Sequence, residues 1–325
     1  MMQQMELFFV KKPGLMSTFQ DNGRIGYQRF GVPVSGAMDQ FAMQVANILV
    51  GNPRTYACME VTFIGPELEV CADNPQLIAI TGADLEPKVN GRSIPMWESI
   101  FVKKGDILSF GTRFSGVRAY IAVFGGYDIP YVFASQSTDV QSGLGKQIEK
   151  SMYVKGMALG HSITPKTAGS GRIGLHKDKI PTYHKDVIVS IVEGPHTHYF
   201  TKEGYHSFYK QRFTVNTASN RMGYLLHSDE KITLKHNAEI WSDAVPFGGI
   251  QIPKGGHPII LMADRQTTGG YPRMGTVLST DLYKVAQLVP HGTIGFKKTT
   301  VEEAQTKWKQ EEMFLHKLAT FRQGI

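Results

Sequence analysis

Three stretches of the chain concentrate residue types that can bind a small polar molecule or act on it. The first, residues 17–36, sets Gln20, Asp21, Asn22, Arg24, Tyr27, Gln28 and Arg29 among Gly23, Gly26 and Gly31, and closes on Val32-Pro33-Val34-Ser35-Gly36. The second, residues 264–275, carries Asp264, Arg265, Gln266, Thr267, Thr268, Gly269, Gly270 and Arg273. The third is shorter, Ser219-Asn220-Arg221-Met222-Gly223-Tyr224, and its Arg-x-Gly-Tyr core echoes Arg24-Ile25-Gly26-Tyr27. Glycine between amide and guanidinium side chains lets a backbone approach a ligand closely, and arginine offers a fixed fork of donors. The chemistry such runs support is positioning: arginine and backbone N–H groups stabilise developing negative charge, with Asp21, Asp39 or Asp264 as acid or base. The bland alternative for each is a polar crossing between strands, held by ordinary turn chemistry.

The candidate catalytic residues are therefore Asp21, Arg24 and Asp264. Candidate substrate contacts are Gln20, Tyr27, Ser35, Gly36, Asn220, Arg221, Tyr224, Gln266, Thr267, Thr268 and Arg273. No Gly-x-Ser-x-Gly elbow occurs and neither Cys58 nor Cys71 sits in a nucleophile motif, so covalent catalysis has no support. His196 and His198 would share one face of a strand, a spacing a metal can use. No third ligand lies near them, so a structural or solvent-facing role is read and no metal is assigned. Gly143-Leu144-Gly145-Lys146 lacks the upstream glycine and the following Ser or Thr of a phosphate loop. Any ATP must then be held by another architecture or at a shared interface.

The 325 residues, 42% hydrophobic, are enough for two medium domains with real cores. A net charge of +7, from 35 basic and 28 acidic residues, favours anionic small molecules or acidic partner surfaces. The basic residues are scattered and form no nucleic-acid motif, so no nucleic acid is expected. With two cysteines, no leader and no bilayer-length apolar run, the reading is cytoplasmic, free of membrane, with free thiols.

Elements must position these runs. Residues 37–50 place Met38, Phe41, Ala42, Val45, Ile48 and Leu49 at helical spacing, with Gly51 and Pro53 as the stop. Short apolar runs at 5–10, 59–64, 67–71, 77–81, 99–102, 107–110 and 118–124 read as strands separated by turns, which argues for a barrel or sandwich. Residues 131–167 read as a long irregular connection, and 167–179 as a boundary on composition. Strands resume at 187–192, 212–215, 244–252 and 258–262, and a helix follows from about 280. A last helix opens on the capping box Thr300 and Glu303, with a stripe of Val301, Ala304, Trp308, Leu315 and Leu318 that would pack on the second barrel.

The run Gln20-Asp21-Asn22-Gly23-Arg24-Ile25-Gly26-Tyr27, followed by Gly31-Val32-Pro33-Val34-Ser35-Gly36-Ala37-Met38-Asp39, resembles the opening signature of the biotin-dependent carboxyltransferase-like family. That family takes in the C subunit of bacterial ATP-dependent 5-oxoprolinase and one part of urea carboxylase, and the resemblance runs from about Gly14 to Phe296. It implies a mainly β chain of tandem cyclophilin-like β-barrels with a few helices: residues 1–180 as an N-terminal barrel carrying the first run, and 181–325 as a C-terminal barrel plus C-terminal helix. It also implies work within a complex with A-like and B-like (KipI-like) subunits, on a small acidic amide, 5-oxo-L-proline, with ATP as co-substrate. The alternatives it leaves are a non-catalytic KipA-like antagonist that binds a KipI-like histidine-kinase inhibitor, and a carboxyltransferase component for a urea-like amide. The last would need biotin from another chain, because Gly36-Ala37-Met38-Asp39 is not a biotin acceptor. The family often has an arginine within a Gly-Ser-Arg-Ser-Thr-like run, whereas here Ala134-Ser135-Gln136-Ser137-Thr138 puts an amide at that place.

Overall fold

The computed structural model describes residues 4–157, 173–235 and 239–323, so part of the 131–167 connection and of the 167–179 boundary lies outside the described residues. Contacts divide the chain into two units. The first comprises Met1–Gly23, Asp39–Thr182 and Met313–Ile325, and the second Arg24–Met38 and Tyr183–Glu312. The strand-rich expectation holds in both.

In the first unit a six-stranded sheet runs Tyr153–Met157, Gln4–Lys12, Glu67–Val70, Ile107–Phe110, Pro87–Val89 and Arg92–Ser93. A five-stranded sheet runs Met16–Gln20, Cys58–Thr62, Ser115–Val123, Gln76–Asp84 and Ser99–Val102. Side chains alternate across a strand, so Phe8, Val10 and Leu68 of one sheet share a core with Phe19, Met59, Ile78, Ile80 and Ile121 of the other, and Leu7 joins them where the register shifts between Glu6 and Phe8. Strands Gln76–Asp84 and Ser115–Val123 are buried along nearly their whole length, because helix α1 (Gln40–Val50) covers their second face. Helix α1 starts where Asp39 Oδ1 accepts the Ala42 N–H at 3.0 Å and ends on the left-handed Gly51. Behind it the Asp39 N–H donates to the Tyr120 hydroxyl, which donates to buried Glu60 at 2.8 Å. Burial, with the nearby Glu60 charge, keeps that phenol far from ionising.

The second unit is a closed seven-stranded barrel in the order Asp186–Glu193, Arg273–Val277, Gly249–Gln251, Ile259–Leu261, Gly223–His227, Phe213–Val215 and Thr293–Lys298. The parallel pairing of Asp186–Glu193 with Thr293–Lys298 closes it. Val189, Ile191, Phe213, Ile250, Ile260, Met274 and Ile294 fill it, and Met38, from the first polar run, joins that core. Helix α2 (Lys202–Lys210) stacks Phe208 on Phe296 at 4.5 Å, and the short α3 (Leu282–Ala286) buries Leu282 and Val285.

Helix α4 (Val301–Gln323) starts as its capping box predicts, the Glu303 N–H donating to Thr300 Oγ1 at 3.2 Å. Its stripe is not buried throughout: Leu315 is fully covered, but Val301 and Trp308 are each 49% exposed. From Met313 onward the helix groups with the first unit, not with the barrel expected. There Phe314 stacks on Phe41 at 6.2 Å and Arg322 Nε donates to the Leu49 carbonyl at 3.1 Å. Among the described residues no helix is long and apolar enough to cross a membrane.

Candidate active site

The second and third polar runs meet in the second unit. Arg221 precedes strand Gly223–His227 and Asp264 follows strand Ile259–Leu261, and the pairing of those strands brings them together. Arg221 Nε donates to Asp264 Oδ2 at 2.7 Å, and its Nη2 donates to Asp264 Oδ1 at 2.9 Å and to the Gly36 carbonyl at 2.7 Å. Both side chains are buried, so the fork holds a charge pair out of water and fixes Gly36, whose φ of 91° only glycine takes without strain. Ser35, also left-handed at φ 56°, is buried beside it, and Arg24 is buried with its N–H donating to the Val34 carbonyl at 2.7 Å.

Next to this pair lies a cavity of about 260 Å³, lined among others by Asn220, Met222, Leu225, Gln251, Gln266 and Tyr271. Asn220 Oδ1 accepts the Met222 N–H at 2.8 Å, which leaves its Nδ2 as a donor. Gln266 is exposed and makes no hydrogen bond among the described residues, so both ends of its amide are available. None of the lining residues is charged. None of the arginines lines it: Arg221 bonds Asp264 and the Gly36 carbonyl, and Arg265 the Val245 and Met262 carbonyls. Burial lowers the Arg265 pKa to about 10 despite the Asp264 charge beside it. Arg273 is turned to the Ala244 carbonyl at 2.6 Å and to Asp243 at 3.3 Å, which ties the barrel to the small Asp243–Ala244 and Thr268–Gly269 ladder.

The remaining candidates fall elsewhere. Thr267 accepts the Val245 N–H through its carbonyl, and Thr268 lies in the small ladder. Tyr224 is a barrel core residue whose hydroxyl donates to the Ala286 carbonyl at 3.2 Å, while Tyr27 opens a 3₁₀ turn, Gln28–Phe30. The Arg-x-Gly-Tyr echo thus marks two different local structures, a loop and a strand start, and both lie in the second unit. His196 and His198 stand in and beside a 3₁₀ turn, Thr197–Tyr199, not on a strand, and both rings contact Tyr199. His196 Nδ1 accepts the Arg273 N–H at 3.3 Å. Among the described residues no group of three His, Cys, Asp or Glu is placed for a metal.

In the first unit Asp21 works as a clamp. Its Oδ1 accepts from Ser135 Oγ at 2.7 Å, Ser137 Oγ at 2.5 Å and the Gly23 N–H at 2.8 Å, and its Oδ2 accepts the Gln136 N–H at 2.7 Å. Gln20 is fully buried, its amide nitrogen on Thr18 Oγ1 and the Thr138 carbonyl. The turn at 139–146 is closed on itself, since Asp139 Oδ1 accepts the Gln141 and Ser142 N–H groups. The burial of Cys58 pushes its thiol far up, which leaves it inert.

Sequence reading missed Gln251, Met222, Leu225 and Tyr271 as lining residues. Gln251 had a signal, a polar side chain between Ile250 and Ile252 within a barrel strand. The other three carry no mark that separates a cavity wall from ordinary packing.

The chain belongs to the carboxyltransferase domain family, subdomain A and B, which matches residues 30–298. Within it, the chain is 32% identical over 302 residues to the C subunit of 5-oxoprolinase from Haemophilus influenzae, covering 93% of this chain and 94% of that one. It is 30% identical over 308 residues to the C subunit of 5-oxoprolinase from Escherichia coli K12, covering 95% and 96%. The crystal structure of the K. lactis urea amidolyase superposes with a TM-score of 0.87 at 28% identity, over 97% of this chain and 20% of that one.

Proposed function

We propose that this chain is the C subunit of an ATP-dependent 5-oxoprolinase, acting with A-like and B-like subunits to open 5-oxo-L-proline to L-glutamate. The observation that carries the reading is the neutral cavity lined by the Gln266 amide and by Asn220, whose Nδ2 is unengaged, each a near neighbour in sequence of the Arg221–Asp264 fork. A lactam presents one N–H donor and one carbonyl acceptor. Gln266 offers both complements and Asn220 Nδ2 a further donor, while Met222, Leu225 and Tyr271 give the ring an apolar wall. Two relatives that carry that name, matched over almost their whole length, support it.

A lactam carbonyl is a poor electrophile, and transfer of a phosphoryl group from ATP to its oxygen creates a leaving group. Water then adds at carbon, the C–N bond breaks as the ring nitrogen takes a proton, and a second water displaces inorganic phosphate from the resulting acyl phosphate to leave the carboxylate. This chain's share of that sequence is to hold the amide and exclude water. The cavity has no cation for phosphate or for the substrate carboxylate, so those charges fall to the partner proteins.

A second reading, the non-catalytic antagonist of a KipI-like inhibitor, is favoured by the commitment of Asp21 and Asp39 to structure and of Asp264 to an ion pair. Co-purification with both partners and measurement of 5-oxoproline-dependent ATP hydrolysis decides between them. The proposal expects turnover only in the three-component complex. A stable complex with the B-like protein and no turnover would favour the antagonist, and strict dependence on biotin would favour a carboxyltransferase.

A further inference from the structure

We propose that a second cavity, in the first unit and independent of the site above, binds the ammonium or guanidinium head of a small organic cation. The cavity, about 360 Å³, is lined by Tyr56, Gly125, Tyr127, Asp128, Ile129, Pro130, Tyr131 and Gln136. Its volume lies within the usual range for small-molecule sites.

The walls are built, not incidental. Asn52 Oδ1 accepts the Gly125 N–H at 2.8 Å and Asn52 Nδ2 donates to the Val123 carbonyl at 2.8 Å, which fixes the turn that leads into the cavity. The Tyr56 ring lies against the left-handed Gly126, where an added Cβ would come within 2.7 Å of it. On the other side the Asp21 clamp holds Ser135, Gln136 and Ser137 by their hydroxyls and N–H. That clamp sustains two consecutive non-glycine residues in the left-handed region, Phe133 at φ 52° and Ala134 at φ 56°, a cost that proteins concentrate at binding sites.

The chemistry of the lining is one-sided. Gln136 is only 8% exposed, and its Nε2 is spent on the Ile129 carbonyl at 2.8 Å and the Tyr127 carbonyl at 3.4 Å. Its Oε1 has no hydrogen-bond partner among the described residues, so an accessible acceptor is left for a guest. The Asp128 carboxylate likewise makes no ion pair or side-chain hydrogen bond among the described residues, in a protein whose net charge is +7. Tyr56 and Tyr131 add aromatic surface and hydroxyls that no described residue engages. An unpaired carboxylate, an amide oxygen with no protein partner and tyrosine rings together are complementary to a donor-rich cation, which the rings also attract through their π faces. Among the described lining side chains, the donors left unengaged are the two tyrosine hydroxyls, which offer an anion no charge. The head group comes either from a free amine or from a basic side chain of a polypeptide, and the recognition chemistry is the same.

The test is a titration of the full chain, followed by NMR or calorimetry, with n-butylammonium, n-butylguanidinium, Nα-acetyl-lysine N-methylamide and neutral n-butanol. The expected result is saturable binding of the cations with a Kd of about 1 mM or below, and binding of n-butanol at least tenfold weaker. Asp128→Asn should weaken the cations about tenfold or more, and Gln136→Arg, which supplies an internal guanidinium, should abolish their binding while the variant melts like the parent. Binding of the lysine derivative as well as the alkyl cations assigns the site to a polypeptide side chain; binding of the alkyl cations alone assigns it to a free amine. Equal binding of n-butanol, unchanged affinity in the folded Asp128→Asn variant, or no saturation by any cation would overturn the proposal. None of these outcomes bears on 5-oxoproline turnover.

Discussion

Two aspartates that sequence treats alike part company at the scale of single residues. Asp21 and Asp264 both sit in glycine-rich polar runs, yet Asp21 holds a loop through four hydrogen bonds and Asp264 is half of a buried ion pair. A buried pair is costly to break from one side, because the surviving charge is left without a partner in low dielectric. Arg221→Ala is therefore expected to lose about 3–5 kcal/mol of unfolding free energy, while Arg221→Met with Asp264→Leu loses much less. Urea denaturation of the three proteins reads the difference. Equal losses in the single and double variants would show that the fork is not carrying a charge penalty. Neither partnership is legible locally. Asp21 meets Gln136 across 115 positions, and Arg221 meets Asp264 across 43, so only the strand pairing of the folded chain reveals them.

Elements were legible where one face is apolar at a regular period. The helix read at 37–50 is found at Gln40–Val50, with Asp39 as its cap and Gly51 as its stop, and the run at 107–110 is the strand Ile107–Phe110. Helix α2 was missed because its sequence, KEGYHSFYK, is polar, holds a glycine and marks its buried face with Phe208 and half-buried tyrosines. The strand at Ser115–Val123 shifts register against Gln76–Asp84 between Ser115 and Ala119, and Gly82 makes that possible. At φ 82° a Cβ there would stand 2.4 Å from the Arg118 carbonyl oxygen, which is backbone and cannot swing away. Gly82→Ala should accordingly cost about 2–4 kcal/mol, since strain at a left-handed site adds to a steric clash inside a sheet. A variant with an unchanged melting temperature would contradict that assignment.

For the whole molecule, a barrel or sandwich was legible from many short strands with few helices, and its tandem form from the family resemblance. The tie of Met38 and Gly36 to the barrel core was not, because nothing local says which unit a loop will join. Acid sensitivity also belongs to this scale. Burial, then the Arg273 charge, lowers the His196 pKa, and burial, then His227 and Lys231, lowers that of His257. Each imidazole is thus neutral in the folded state at pH values where the unfolded chain would protonate it. Their contribution to stability is complete above the ordinary value of about 6.5 and is lost as pH falls from there through the folded-state pKa. Melting temperature should drop between pH 7.5 and pH 5.5, and His196→Gln with His257→Gln should flatten that drop. A slope unchanged in the double variant would assign acid sensitivity to other groups.

The central claim is that the neutral cavity beside the Arg–Asp fork receives the amide substrate. Steady-state kinetics of the reconstituted complex with Asn220→Ala and Gln266→Ala tests it most directly. We expect KM for 5-oxoproline to rise about tenfold or more in each variant, as the loss of a hydrogen bond to substrate requires, with complex assembly and melting temperature preserved. Kinetics indistinguishable from the parent in a folded, fully assembled complex would contradict the account.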